Sequence, residues 1–281
     1  AITYVETAIK KGLDPNVFGS RISFFFNAHN GFLEEIAKFR AAREIWASIM
    51  KTRFKVTNEK ALKCRFHVQT GGSTLTAQQP QNNIVRTTIQ ALSAVLGGAQ
   101  SIHTNSYDEA LGLPTEEAAK IALRTQQLIA NETNLVKFVD PLFGSDIIET
   151  LTEKYILKVN EILEEIDQIG GAVKAIEDGY MQKNISQTAY EYQKSIDNNS
   201  TLIVGLNCHE EEDVEIDLQQ INAQSVNNQI KKLKKIKENR NSASVAKSLE
   251  ELKTAAESNS NLMPFIIRAA KNECTLGEIS D

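Results

Sequence analysis

Three successive alternations of strand-like and helix-like segments in the first half of the chain predict an α/β fold with parallel strands. Two further observations agree. The helix-like segments repeat apolar residues every three or four positions. Glycine, proline or a polar loop separates each segment from the next. At 281 residues the chain has room for one large domain, one α/β barrel or two ordinary domains.

Ile2, Val5, Ile9 and Leu13 read as the end of a helix over residues 2–12, broken by Gly12 and Pro15. Arg21–Asn27 is a short aromatic-rich run and predicts a buried strand. Phe32, Ile36, Phe39, Trp46 and Ile49 or Met50 form the apolar stripe of a long helix over residues 31–51. In the second cycle Cys64, Phe66 and Val68 alternate as one face of a strand over 63–69. A Thr70–Ser73 loop follows, then a helix over 80–96 with Pro80 in its first turn and Gly97-Gly98 as its stop. The third cycle is a strand over 100–104, a polar loop and a helix from Thr115, which can cap it ahead of Glu116 and Glu117. After Asp140-Pro141 the pattern becomes helical and charged, punctuated by Gly170-Gly171. Thr201–Leu206 predicts one more strand, residues 219–258 a polar helical stretch, and 262–270 a short apolar helix.

Hydrophobic residues at 41% and charged residues at 24% exclude a collagenous or wholly disordered chain. A net charge of -5 argues against a generic nucleic-acid binder, which needs a basic surface. Apolar runs such as Leu202–Leu206 are far too short to span a membrane. Glu6, Lys10, Lys11 and Asp14 interrupt any signal-peptide core in the first twenty residues. The three cysteines are widely spaced and include no C-x-x-C pair, which predicts reduced thiols and a cytoplasmic setting.

Ligands of parallel α/β proteins bind beyond the carboxyl ends of the strands. There the sequence sets Asn27, His29 and Asn30; then His67, Gln69 and Thr70; then His103, Thr104, Asn105, Asp108 and Glu109. A single strand-end histidine is more often a satisfied structural group. The coincidence at three successive strand ends is what points to a site. Gly71-Gly72 reads as a tight turn, since it lacks the spacing of a phosphate loop. Asp108-Glu109 has a simpler reading as a helix-start pair. Cys64 and His67 fall on opposite strand faces, which argues against a nucleophile pair. Cys208-His209 followed by Glu210–Asp213 reads as a solvated acidic turn, and no metal site is expected. Lys231–Lys237 reads as a helix with a lysine-rich solvated face; an anionic ligand or a partner chain is the minority reading.

RISFFFNAHN with EEIAKFRAAREIWA, RFHVQTGGSTLTAQQPQNNIVRT, GGAQSIHTNSYDEALGLPTE, GGAVKAIEDG, TLIVGLN and CTLGEISD extend over nearly the whole chain. Together they resemble the large subunit of methylmalonyl-CoA mutase and related adenosylcobalamin-dependent acyl-CoA mutases. The resemblance implies an α/β chain forming the C-terminal part of a (β/α)8 barrel, its last three strands and helices, over residues 1–140. A mainly helical linker over 141–281 would follow, without a cobalamin-binding domain. It implies radical carbon-skeleton rearrangement of an acyl-CoA, started by homolysis of the Co–C bond, with the protein positioning and shielding the reactants. Methylmalonyl-CoA is the substrate favoured by family frequency.

Residue by residue, Arg21 and Ser23 match a segment that contacts CoA, and Lys60 matches a lysine near the CoA arm. His67, Gln69 and Gln100 match polar groups facing substrate and cofactor. Glu109 and Ala110 match positions near the adenosyl or corrin groups, and Ser73 stands where many relatives carry a cofactor-facing tryptophan. His103 and Asn105 share that segment without an assigned role. The usual DPxGGSYYVE reads DPLFGSDIIE, with Phe143 replacing a glycine. The family's catalytic histidine, in a Gly-Tyr-His strand, would precede Ala1, and the D-x-H-x-x-G cobalt-ligand motif is absent from this sequence. The resemblance therefore implies an N-terminal-half mutase chain and a cobalamin-binding subunit as partners. The chain then reads as a split-enzyme component inactive alone, a non-catalytic remnant or assembly subunit, or an excerpt of a longer enzyme.

Overall fold

The structure, a computed structural model, describes residues 1–212 and 218–281. Asp213 of the acidic run lies outside them; Glu210–Glu212 are exposed. Two compact units separate at Gln219/Gln220.

The first unit opens with α1 (Ile2–Lys10), the short α2 (Pro15–Phe18) and a 3-10 turn at Gly19–Arg21. Strands β1 (Phe24–Ala28), β2 (Phe66–Thr70) and β3 (Ser101–His103) form one parallel sheet in that order. Helices α3 (Phe32–Thr52) and α4 (Glu59–Leu62) connect β1 to β2, and α5 (Asn82–Leu96) connects β2 to β3. The two βαβ units match the sequence reading within a few residues at each boundary.

The sheet is buried on one face only. Phe24, Phe26, Phe66, Val68 and Ile102 point toward the helices and pack with Phe39, Trp46, Met50 and Ala94. Phe66 stacks on Phe39 at 5.2 Å and meets Phe26 edge-on at 5.3 Å, while Phe24 meets Trp46 edge-on at 4.8 Å. Such pairs add about 0.5–1.5 kcal/mol each beyond burial. The alternate residues Phe25, Asn27, His67, Gln69, Ser101 and His103 lie on the other face, where no residue is fully buried. The Arg21–Asn27 run therefore does not form a strand buried on both sides. With a two-residue period, burying Phe24 and Phe26 leaves Phe25 60% exposed.

Helix α6 (Glu116–Glu132) starts as expected, with Thr115 Oγ1 accepting from Ala118 N–H at 3.2 Å. Asp108 and Glu109 do not start a helix; Asp108 is buried and its Oδ2 accepts from Thr115 N–H at 2.9 Å. Helices α7 (Asp146–Ile169), α8 (Ala172–Glu177) and α9 (Tyr180–Asp197) follow, with Gly170 and Gly171 between α7 and α8. The change of character at residue 140 is not a break in packing. Helix α7 lies along α3, tied by Arg40 to Asp140 and Glu149 and by Arg53 to Asp167. Phe143 keeps the turn: its N–H donates to Asp140 O at 3.1 Å, and Gly144, not Phe143, takes the positive φ.

Thr201–Leu206 is not a strand. Asn207 folds it into a turn, accepting from Ile203 N–H at 2.7 Å and donating to Thr201 O and Ile196 O. Among the described residues one isolated bridge, Val204 to Cys208, is the only strand-type pairing there. Its apolar residues lack a neighbouring strand, so the Asn207 amide takes over the backbone bonds.

The second unit holds α10 (Ala223–Asn239), α11 (Ser242–Ala256), α12 (Met263–Lys271) and α13 (Leu276–Ser280). The lysines of Lys231–Lys237 are exposed on α10. Val245, Ala269 and Cys274 form a small core with Leu249 and Ile279. Arg240 grips Glu278 with two bonds of 2.7 and 2.6 Å, and Thr275 N–H donates to the same carboxylate. These contacts, Arg240 first, hold the Glu278 carboxyl well below the usual carboxylate range. A lowered folded value gives stability that is present above the unfolded value of about 4.3 and is lost as pH falls below it. Amide protection in α11 and α13 is expected to fall between about pH 5 and 3, and more steeply in the parent than in Glu278→Gln. Parallel pH slopes for the two proteins would refute this.

Candidate functional site

The sheet register aligns the uncovered face in rows. Phe25, His67 and Ser101 form one row, and Asn27, Gln69 and His103 the next toward the carboxyl ends. His67 Nδ1 lies 2.8 Å from Ser101 Oγ, and its ring lies 5.0 Å from that of Phe25. Gln69 Nε2 donates to Asn105 Oδ1 at 3.1 Å. His29 lies beyond β1, its ring against Gly71.

A compact group forms where the loops after β2 and β3 meet. Gly72 passes so close to Asn105 that a Cβ there would lie 2.7 Å from Asn105 Nδ2 and 3.6 Å from Glu109 Oε1. Gln69, Asn105, Gly72 and Glu109 are thus contiguous, with Ser73 and Ala110 exposed beside them. His103 and Glu109 also line a cavity of about 290 Å³ with Thr104, Ser106 and Leu123. Buried atoms Asn105 Nδ2, Ser106 Oγ and Asp108 Oδ1 have no partner among the described residues. Such atoms ask for a ligand or water.

A second group sits at the amino ends of the strands. Arg21 closes the 3-10 turn, Ser23 precedes β1, and Lys60 lies on α4, which packs against that turn. Asn58 fixes α4, its Oδ1 accepting from Lys60 N–H at 3.0 Å and its amide donating to Asn16 O at 2.7 Å. Arg21 and Lys60 are exposed and have no ion pair among the described residues. Gln100 lies at this end as well. Its amide is taken up by backbone, accepting from Phe66 N–H at 2.6 Å and donating to Gly98 O at 2.8 Å. The structure thus gathers Gln69, Ser73, Glu109 and Ala110 toward one end and Arg21, Ser23, Lys60 and Gln100 toward the other, with His67 one row in from the amino ends of the strands.

Burial pushes the Cys64 thiol up to about 11, against a small opposing effect of Arg43. Cys64 is therefore a packed thiol and no nucleophile at neutral pH. Among the described residues no group of three or more His, Cys, Asp or Glu is placed to hold a metal ion. No helix of the described residues is long and apolar enough to cross a membrane.

Sequence reading missed the residues that hold the loops. Asn83 is fully buried on α5; it accepts from Thr76 N–H and donates to Thr76 O and Tyr107 O. Arg86 donates to Asn83 Oδ1, Thr76 Oγ1 and Val204 O. Burial lowers the Arg86 pKa, yet a guanidinium stays protonated. The signal was available: Asn83, Thr87 and Gln90 recur at helical spacing on the same face as Ala91 and Ala94.

Parallel βαβ units with one sheet face packed on helices and the other uncovered and largely polar define an α/β protein. The methylmalonyl-CoA mutase family model matches residues 1–281. The chain is 44% identical over 281 residues to the 2-hydroxyisobutanoyl-CoA mutase large subunit of Aquincola tertiaricarbonis, covering 99% of this chain and 50% of that one. It is 42% identical to methylmalonyl-CoA mutase of Escherichia coli and 41% to the mitochondrial human enzyme, covering 100% of this chain and 39% and 38% of theirs. The chain belongs to the methylmalonyl-CoA mutase family, whose members named here are isomerases. It spans about half or less of the length of these relatives.

Asn83→Ala would strand Thr76 N–H, Thr76 O and Tyr107 O and leave Arg86 short of an acceptor. The expected loss is about 2–4 kcal/mol in urea unfolding, against a loss within about 0.5 kcal/mol for an exposed polar control such as Asn131→Ala.

Proposed function

We propose that this chain is a component of an adenosylcobalamin-dependent acyl-CoA mutase that interconverts methylmalonyl-CoA and succinyl-CoA. Residues 1–140 carry the substrate-binding part of the barrel and 141–281 the mainly helical linker region. A chain equivalent to the N-terminal half completes the barrel, and a cobalamin-binding subunit brings the cobalt ligand.

The observation that carries the reading is the polar sheet face with different chemistry at its two ends. Arg21 and Lys60 stand at the amino end without counter-ions among the described residues, suited to the phosphates of CoA. His67 and Gln69 lie further along β2, a strand of five residues spanning about 17 Å. An extended ligand with an anionic head and a reacting acyl end fits that order. The closure of the barrel has its own support. An apolar cavity of about 390 Å³ adjoins β1, lined by Phe24, Phe26, Ile45, Trp46, Ile49 and Leu163. Among the described residues β1 pairs on one side only. A further parallel strand beside β1 would cover its edge and set apolar side chains into that cavity.

The carboxyl end fits the cofactor. Gly72 lets the turn pass against Asn105 where a side chain would collide, Glu109 presents a carboxylate suited to ribose hydroxyls, and Asn105 holds an N–H without a partner among the described residues. Adenosylcobalamin, when bound, supplies the radical chemistry. This chain's residues bind and orient. Arg21, Ser23 and Lys60 hold the CoA arm. His67 and Gln69 donate hydrogen bonds to the acyl group, and Ser73, Glu109 and Ala110 face the cofactor. Gln100 contributes by pinning β2 to β3 one residue before His67.

Mixed with the complementing half, the cobalamin subunit and adenosylcobalamin, the chain is expected to restore isomerisation that it lacks alone. A verified assembly with no turnover of methylmalonyl-CoA sinks the reading; turnover of 2-hydroxyisobutanoyl-CoA alone would overturn the substrate. In the active assembly Arg21→Ala is expected to raise KM for the acyl-CoA about tenfold with kcat within about twofold, the pattern of a lost binding contact. An equal fall in kcat would contradict that role.

A further inference from the structure

Gln90 is fully buried in the middle of α5, and both polar atoms of its amide are engaged. Its Oε1 accepts at 2.9 Å from Gly71 N–H, a proton shared with Ala28 O at 2.7 Å. Its Nε2 donates to Asn30 Oδ1 at 2.6 Å and to Thr74 Oγ1 at 2.7 Å. Thr74 in turn donates to Gly71 O at 2.6 Å. One amide thereby joins the loop after β1 to both ends of the Gly71–Thr74 turn. Ser73 lies exposed inside that turn, and Gly72 lies against Asn105 and Glu109. The same face of α5 carries Ala91 and Ala94, so packing alone would be met by an apolar side chain. A buried amide costs stability unless its bonds are made, and making them ties the turn to one place.

We propose that Gln90 is a positioning residue whose amide fixes the Gly71–Thr74 turn, and through it sets Gly72 and Ser73 beside Gln69, Asn105 and Glu109. The consequence for catalysis rests on the mutase reading above. Gln90 acts only through the turn and itself touches neither substrate nor cofactor.

Gln90→Met keeps the volume and removes the amide. Amide exchange at Gly71, Thr74 and Leu75 is expected to quicken about tenfold, the loss of a hydrogen bond or two, while Phe66 and Val68 in the ladder stay unchanged. In the assembled enzyme the dissociation constant for adenosylcobalamin is expected to rise about tenfold, with KM for the acyl-CoA within about twofold. Gln90→Glu keeps an acceptor for Gly71 N–H but loses the donor to Asn30 Oδ1 and Thr74 Oγ1, and is expected to fall between Gln90→Met and the parent in both. If Gln90→Met also loses ladder protection, Thr74→Val carries the test, because it removes the Thr74 arm of the bridge from the loop side and leaves the helix amide in place. Unchanged exchange at 71–75 overturns the proposal, as does faster exchange with cofactor affinity unaltered. A parent assembly that binds no adenosylcobalamin sinks the mutase reading, whereas the exchange data still decide whether Gln90 holds the turn.

Discussion

The packing of Phe26 and Phe66 against Phe39 settles which face of the sheet is buried, and most of the first unit follows from it. Each of these side chains is worth about 1.5–3 kcal/mol when buried, so the cluster outweighs any single polar contact on the sheet. Strand side chains alternate, and a one-residue slip would drive His67 and Gln69 into that cluster. The register is therefore locked by the apolar face and displayed on the polar one. Asn27, Gln69 and His103 stand in one row because Phe26, Val68 and Ile102 must stand in another.

Loops at the carboxyl ends have no ladder of their own, and their order comes from α5. That helix places Asn83 and Gln90 among its buried residues, where an unpaired amide is costly. The nearest available partners are loop groups: Thr76 and Tyr107 for Asn83, Gly71, Thr74 and Asn30 for Gln90. Arg86 extends the same logic to Val204. The helix thus does two jobs on one face, with small residues closing the core and amides fixing the loops at the carboxyl ends of the strands.

Much of this was legible in the residues. The strand–helix alternation, the Thr115 cap and the gathering of polar groups at strand ends all follow from local patterns with a definite period or spacing. Thr201–Leu206 was misread because a short apolar run looks the same whether or not a neighbouring strand exists to pair with it, and Asn207 took those bonds instead. Gln100 looked like a ligand-facing group, yet its amide is closed onto Phe66 and Gly98. The polar face of α5 went unread because amides at helical spacing look like ordinary polar positions until their partners are known.

The sequence by itself determined the family, the parallel α/β class and the residue types at each strand end. Those depend on local order along the chain. Tertiary structure alone decided that Arg21 and Lys60 share the amino end, that Gly72 meets Asn105 and Glu109, and that Gln90 bridges two loops. Each of these joins residues far apart in the chain. Their meeting is set by how the aromatic core seats the helices on the sheet, which no local spacing records.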